Sequence, residues 1–435
     1  MARTSDVILS LGSNKGDRRG SLHEGLVRLK DAGFLSNRTS PVVESPALLP
    51  PNSPSQWNRP YLNLVVQGST SLDLDSFSNL TKKIQSATGT KDPHSRWAPR
   101  DLDIDLVSWG DEVFQFDGTT LPDAEVYLKP YVLSPLVHMK PDFRFPGMRA
   151  KSVLELSCER SDIFHIPLWM GIVNLTPDSF SDGGIHCDPD KVGSTVEQMI
   201  EDGAGIIDLG AESTRPNATP VSHEEEWNRL SPALESVLGV CESCLFPPQI
   251  SIDTYHPETA LKAVQSGVDV INDVGGLGRV EMLDLAKSSD CTFVAMHSVS
   301  IPVDPSRSID PDSDACEVFE AWLEERQRTW DKVGLDLSRV IIDPGIGFGK
   351  SSLQSLRLMR SVRRLRSHGF RLLIGHSRKS FLKTFSSRES SQSDPETVGA
   401  SIQLCSQSVD ILRVHDINSH IRAYLSWAHL LGNTV

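Results

Sequence analysis

The sequence has no apolar run approaching the ~20 residues of a membrane-spanning helix, so no such span is expected. Cysteine is sparse: seven residues (Cys158, Cys187, Cys241, Cys244, Cys291, Cys316, Cys405) are scattered over 435 positions. An odd, dispersed set is unlike a disulfide framework and suits a reducing compartment. The one close pair, Cys241 and Cys244, has no second pair at zinc-ligand spacing, and reads as free thiols near a helix end. Positive charge is in deficit, with 43 Lys and Arg against 57 Asp and Glu and a net charge of -14. Nucleic acid and anionic membrane surfaces would be repelled, so neither is an expected partner. A small anionic substrate stays open, because a few local cations outweigh a distant field. Met1-Ala2-Arg3 runs directly into the strand-like VILSLG, leaving no room for a leader segment, and the cytoplasm is the expected location.

Apolar content of 38% and charged content of 23% are those of a globular chain, and 435 residues suit two domains. Up to about residue 155 the order of elements is mixed. Val7–Leu11, Tyr61–Val66 and Asp101–Trp109 read as strands, and Leu22, Leu26 and Leu29 fall at helical spacing, as does Leu72–Ile84. This predicts a small α+β layer structure. Pro146 and Gly147 mark Arg144–Cys158 as a boundary.

From Ile166 the pattern becomes regular. Eight apolar runs, LWMGIVNL, GIIDLGAES, PQISIDT, VDVINDV, CTFVAMHS, RVIIDPG, FRLLIGHS and DILRVHD, alternate with helical periodicity. Eight such units in roughly 265 residues predict a (β/α)8 barrel rather than an open doubly wound sheet. Ser300–Ala315, rich in Pro, Ser and Asp, reads as a long loop.

Barrel active sites form where strands end, and here those points are polar. Asn174, Glu212 to Arg215, Asp253, Asn272 and Asp273, His297, Asp343, Ser377 to Lys379, and Arg413 with His415 follow the eight strands in turn. One Asp after a strand is usually a helix cap, but eight polar strand ends facing one mouth are not all caps. Arg215, Arg413, His415 and Lys379 can neutralise a polyanion. Asp253, Asn272 and Asp343 can hydrogen-bond a flat amino-oxo heterocycle. Together they suit a heterocycle carrying a diphosphate leaving group.

The stretches GIVNLTPDSFSDGG, GAESTRP, SIDT, INDVGG, DPGIGFGK, SRKSF and RVHD occur in order over 167–435 and resemble the motif set of dihydropteroate synthase. That resemblance implies condensation of 6-hydroxymethyl-7,8-dihydropterin diphosphate with p-aminobenzoate. It implies Asn174 as a Mg2+ ligand, with Arg413 and His415 at the diphosphate. Asp253, Asn272, Asp343 and Lys379 would bind the pterin. Loops at Asp178–Phe180 and Thr214–Arg215, with Phe348 and Ser377, would form the p-aminobenzoate subsite. Pairing through barrel helices into a homodimer is a further implication. Methyltetrahydrofolate-dependent methyltransferases share the barrel but would not need the SRKS element.

In the first part, RWAPRDLDIDL (96–106) places Asp101, Asp103 and Asp105 on one face of a strand, beside Arg96 and Arg100. Carboxylates so crowded call for a cation, and the flanking arginines suit nucleotide phosphates. With LGSNKGDR, YLN and YVLSPL this resembles 6-hydroxymethyl-7,8-dihydropterin pyrophosphokinase over residues 5–157. The resemblance implies a ferredoxin-like α+β domain using ATP as co-substrate and Mg2+ on Asp103 and Asp105. It also implies Arg96, Trp97, Arg100 and Lys129 at ATP, and a pterin slot of Ser45, Pro46, Leu48, Tyr61, Asn63 and Tyr131. Domains are then expected at 1–157 and 167–435, with 158–166 as linker. Gln85, Thr90, Asp123 and Lys129 depart from the kinase pattern at positions that usually touch ATP. The alternative is a synthase carrying a degenerate binding or structural module.

Overall fold

The structure, a computed structural model, describes residues 4–89, 97–116, 118–123, 125–159, 165–175, 188–213, 218–385 and 394–431. Two compact units are separable. One runs to Ile166 and includes the chain from Arg422; the other is Pro167–Ile421.

The first unit contains β1 (Ser5–Ser13), α1 (Arg18–Asp31), β2 (Leu35–Thr39), β3 (Val43–Ser45), β4 (Tyr61–Thr70), α2 (Leu74–Thr88), β5 (Asp103–Trp109), β6 (Phe114–Phe116), β7 (Thr119–Leu121), α3 (Pro130–Met139) and α4 (Val153–Glu159). Asp17 and Asp73 cap α1 and α2 by accepting from Gly20 and Ser76 N–H groups. The antiparallel sheet has the order β2-β4-β1-β5, with β3 also on β4; β6 and β7 form a separate pair. Alternation along β1 serves two cores, since successive side chains face opposite ways. Ile8 joins Val65, Val107 and the apolar sides of α3 and α4. Leu11 lies with Leu102 close to Gly25 of α1, and the Phe77 ring makes tilted contacts with Phe34 and Trp109. The α+β reading is borne out.

Two details differ from the sequence reading. β2 and β3 lack the apolar alternation that marks a strand, every residue of β2 being exposed. The expected boundary at 144–158 is no break: Phe145, Val153 and Leu154 are buried in the α3 core, and Val153–Glu159 is helical. Pro146 and Gly147 mark a turn within that unit.

The second unit alternates β8 (Leu168–Asn174), α5 (Pro189–Glu201), β9 (Ile206–Gly210), α6 (His223–Glu242), β10 (Gln249–Asp253), α7 (Pro257–Gln265), β11 (Val270–Asp273), α8 (Val280–Ser288), β12 (Thr292–Met296), α9 (Ala315–Val333), β13 (Val340–Asp343), α10 (Ser352–Arg360), α11 (Val362–Arg366), β14 (Arg371–Ile374), α12 (Asp394–Cys405), β15 (Ile411–Val414) and α13 (Ile417–Leu430), the last continuing past Ile421. The eight strands pair in parallel and close into a barrel. Each lies on one of the eight apolar runs. Residues 300–314 form the expected long loop before α9. Cys241 and Cys244 are free thiols at the end of α6. Among the described residues, no helix is long and apolar enough to cross a membrane.

Two candidate active sites

At the mouth of the barrel, the strand ends bring several of the expected residues into small bonded groups. Arg413, on β15, donates from Nε to Asp208 at 2.6 Å and from Nη2 to Asp253 at 2.7 Å. Asn272, next to last in β11, donates to the same Asp208 oxygen as Arg413 Nε, at 3.3 Å. Burial raises the pKa of Asp253; Arg413 opposes this, while Asp208, Asp343 and Asp273 add to it. Burial would lower the Arg413 pKa, but Asp208 and Asp253 hold it above the usual arginine range.

Asp343 ends β13 and accepts the Gly345 N–H at 2.7 Å. Its pKa is raised by burial. The loop that follows is tight: Gly345 has φ +66, and a Cβ there would lie 1.9 Å from the His297 carbonyl. This loop carries Phe348 to the Lys379 ammonium, 4.6 Å from the ring centroid. Lys379 also donates to the Ile346 carbonyl. Burial pulls its pKa down to about 8, against the pull of Asp343. Ser377 and His415, from neighbouring strand ends, meet at 2.9 Å. Asn174 ends β8 opposite Gly210 of β9. Asp178, Phe180, Thr214 and Arg215 lie outside the described residues.

The sequence reading missed two residues here. Asp208 sits within β9, hidden in an apolar run; the signal available was the charge itself, since a buried carboxylate needs partners. Lys350 closes the DPGIGFGK stretch and donates to the carbonyls of His297 at 3.1 Å and Phe348 at 3.0 Å. Burial lowers its pKa to about 7. Glu212, one of the expected mouth groups, is engaged by Tyr255 at 2.7 Å and His256 at 3.1 Å.

In the first unit, β3 lies beside β4 so that Ser45 faces Tyr61 and Val43 faces Asn63. Asn63 donates to Ser45 Oγ at 2.9 Å, which gathers part of the expected slot; Pro46 and Leu48 come shortly after in the chain. Tyr61 and Tyr131 are both buried enough to raise their phenol pKa, Tyr61 to about 12, and both feel Asp103 and Asp105. Slot and carboxylates are therefore neighbours. Arg100 donates to Asp103 at 2.6 Å, and its backbone is tied to Asn14. Asp101 precedes β5 and pairs with Lys15 at 3.0 Å. The strand thus presents two carboxylates, not three. Trp97 begins the described segment leading to Arg100, and Arg96 and Thr90 lie outside the described residues. Gln85 donates to the Ile104 carbonyl at 3.2 Å, and Lys129 pairs with Asp123 at 2.7 Å. Among the described residues, no group of three or more His, Cys, Asp and Glu side chains is arranged to hold a metal.

Comparison with known proteins finds relatives for both units. A family described as pterin binding enzyme matches residues 170–415, and one described as 7,8-dihydro-6-hydroxymethylpterin-pyrophosphokinase matches 8–141. The folate synthesis bifunctional protein of Chlamydia trachomatis serovar D is 36% identical, over 97% of this chain and 98% of that protein. Its counterpart from Arabidopsis thaliana is 32% identical, over 96% and 94%. A dihydropteroate synthase from Anaplasma phagocytophilum with bound 6-hydroxymethylpterin-monophosphate superposes with a TM-score of 0.55 and 34% identity, over 61% of this chain and 99% of that one. One from Xanthomonas albilineans with 4-aminobenzoic acid gives 0.54 and 34%, over 61% and 93%. A slot beside paired carboxylates, a charged barrel mouth behind it in the chain, and relatives matching both at nearly full length leave one conclusion: the chain belongs to the folate synthesis bifunctional proteins, with a pyrophosphokinase domain followed by a dihydropteroate synthase barrel.

Proposed function

We propose that the two units act on one pterin in succession. The first transfers diphosphate from ATP to 6-hydroxymethyl-7,8-dihydropterin; the second exchanges that diphosphate for p-aminobenzoate to give 7,8-dihydropteroate. The observation that carries this reading is that each unit sets groups suited to a pterin beside groups suited to phosphate. The comparisons favour two catalytic domains and lend nothing to a first unit that merely binds.

In the first unit the pterin lies among Ser45, Pro46, Leu48, Tyr61, Asn63 and Tyr131. Its hydroxymethyl oxygen attacks the β-phosphorus of ATP and sheds its proton to water, the bond to the α-phosphate oxygen breaks, and AMP leaves. Arg100, Lys129, Trp97 and Arg96 hold the nucleotide. Asp103 and Asp105 lie on one face of β5, and their field still reaches Tyr61 and Tyr131 despite Arg100. Two carboxylates on one strand face suit Mg2+, which would neutralise phosphate oxygens there and, with Asn174, in the barrel.

In the barrel, Asp253, Asn272, Asp343 and Lys379 hold the pterin, while Arg413 and His415 offer positive charge to the departing diphosphate. The methylene–oxygen bond breaks, the cation spreads into the electron-rich ring, and the aniline nitrogen attacks and sheds its proton. Ser377, Phe348 and the loops at Asp178, Phe180, Thr214 and Arg215 border the p-aminobenzoate.

The test is a coupled assay with 6-hydroxymethyl-7,8-dihydropterin, ATP, Mg2+ and p-aminobenzoate. One AMP should appear per dihydropteroate. A chain that makes dihydropteroate from the diphosphate yet releases no AMP would overturn the kinase half.

A further inference from the structure

We propose that Asp208 is a positioning residue of the synthase: its buried carboxylate fixes the orientation of Arg413 and Asn272 toward the dihydropterin diphosphate. The proposal rests on the reading of the barrel mouth as the pterin site.

Asp208 lies inside β9, level with Ser251 of β10 and Ile172 of β8, with no exposed surface. One carboxylate oxygen accepts from Ser251 Oγ at 2.6 Å. The other accepts from Arg413 Nε at 2.6 Å and Asn272 Nδ2 at 3.3 Å. Three strands therefore converge on one side chain beneath the mouth.

This hub does two things that packing alone would not require. Arg413 is a planar group gripped at two points, Nε by Asp208 and Nη2 by Asp253, which sets the plane of the guanidinium. Asn272 can present either its carbonyl or its amino group upward. With a carboxylate below, the amino end must point down to donate, because the flipped amide would set acceptor against acceptor. Asp208 thereby decides the hydrogen-bond pattern that Asn272 offers a heterocycle. A buried carboxylate is weak evidence for stability, since apolar groups of similar volume often serve as well. Orientation is the better account of its presence.

The experiment uses the full chain, supplied with dihydropterin diphosphate and p-aminobenzoate. Asp208→Asn should raise KM for the pterin substrate about tenfold while KM for p-aminobenzoate moves by less than about twofold. The acid limb of the rate profile should also move to lower pH. Asp253 is faced by Arg413 on β15, Asp208 on β9, Asp343 on β13, Asp273 on β11 and Lys379 after β14; removing one anion from that set makes it easier to ionise. In an Arg413→Ala background, Asp208→Asn should add little, because the two act as a unit. If Asp208→Asn does not fold, Ser251→Ala, which loosens the carboxylate without removing it, should raise the same KM by about two- to fivefold. An unchanged pterin KM in whichever variant folds, or effects that simply multiply with Arg413→Ala, would overturn the proposal. Arg413→Ala with normal pterin KM would instead sink the reading of the mouth itself, and this proposal with it.

Discussion

Lys129 donates to Asp123 across 2.7 Å, so two positions that depart from the kinase pattern answer each other. Asp123 also accepts the Glu125 N–H at 3.0 Å, which fixes it at the start of the turn before α3. Taken singly, an Asp near triphosphate and a Lys in place of Arg both look harmful. As a pair, the Lys charge is held in place.

The first prediction comes from that pair. Both side chains are partly exposed, at 34% and 49%, so the ion pair is weakly stabilising and easily traded for a phosphate. Asp123→Asn should release Lys129 and lower KM for ATP by about two- to threefold, more at low salt than at high. Lys129→Ala should raise it by about tenfold. Initial rates of AMP formation at two salt concentrations measure both. A higher KM in Asp123→Asn would mean that Asp123 itself serves the nucleotide.

The second concerns Lys379. In the proposed reaction its charge serves at the pterin; the ammonium sits over Phe348, and its pKa lies near 8 because burial disfavours the ammonium while Asp343 supports it. Lys379→Ala should abolish dihydropteroate formation. In the parent chain, kcat/KM for the pterin diphosphate should fall as pH rises through about 8. In Asp343→Asn the residual activity should fall at lower pH, since the supporting anion is gone. A limb that stays in place after that substitution would show another group titrating.

Much of the barrel was legible in the sequence because its parallel strands are buried on both faces and stand out as apolar runs, and because closure brings the residue at the end of each strand to one mouth. Asn174, Asp253, Asp343 and His415 could be picked out by that rule alone. Asp208 could not, because the rule looks to the strand ends and Asp208 lies within its strand. β2 and β3 were unreadable for a different reason: their place is fixed by β4, not by a pattern of their own. Nor does spacing reveal ion pairs such as Asp101 with Lys15, which withdrew one carboxylate from the expected metal face.

The third prediction is a stability effect at Glu226, near the start of α6. Only 1% of it is exposed, it accepts from Thr254 at 2.9 Å, and burial raises its pKa to about 7. Between about pH 4.5 and 7 the folded chain keeps a proton that the unfolded chain has lost, so stability contributed by this group falls as pH rises. Glu226→Gln carries no such titration. Its melting temperature should gain on that of the parent as pH goes from 5 to about 7.5, by an amount equivalent to roughly 2 kcal/mol. A constant difference across that range would mean the carboxyl is ionised throughout.

The last prediction separates stability from catalysis. At the N-terminal ends of β14 and β15, opposite the mouth, Asp410 receives Arg366 through two bonds of 2.7 Å and the Leu372 N–H at 2.8 Å. Both side chains are almost wholly buried, at 2% and 0%. Asp410→Asn leaves the Arg366 charge without its counterion, and losing one partner of a buried pair costs about 3–5 kcal/mol. Replacing both, as Arg366→Met with Asp410→Leu, removes the Arg366 charge but leaves the buried Arg371, which Asp410 also supports, so it should recover part of that loss. Urea titration of the three chains measures the difference. Because the pair sits at the closed end of the barrel, KM for pterin diphosphate and for p-aminobenzoate should stay at parental values wherever the protein is folded. A change in either KM would show that strain at the barrel floor reaches Arg413 through β15.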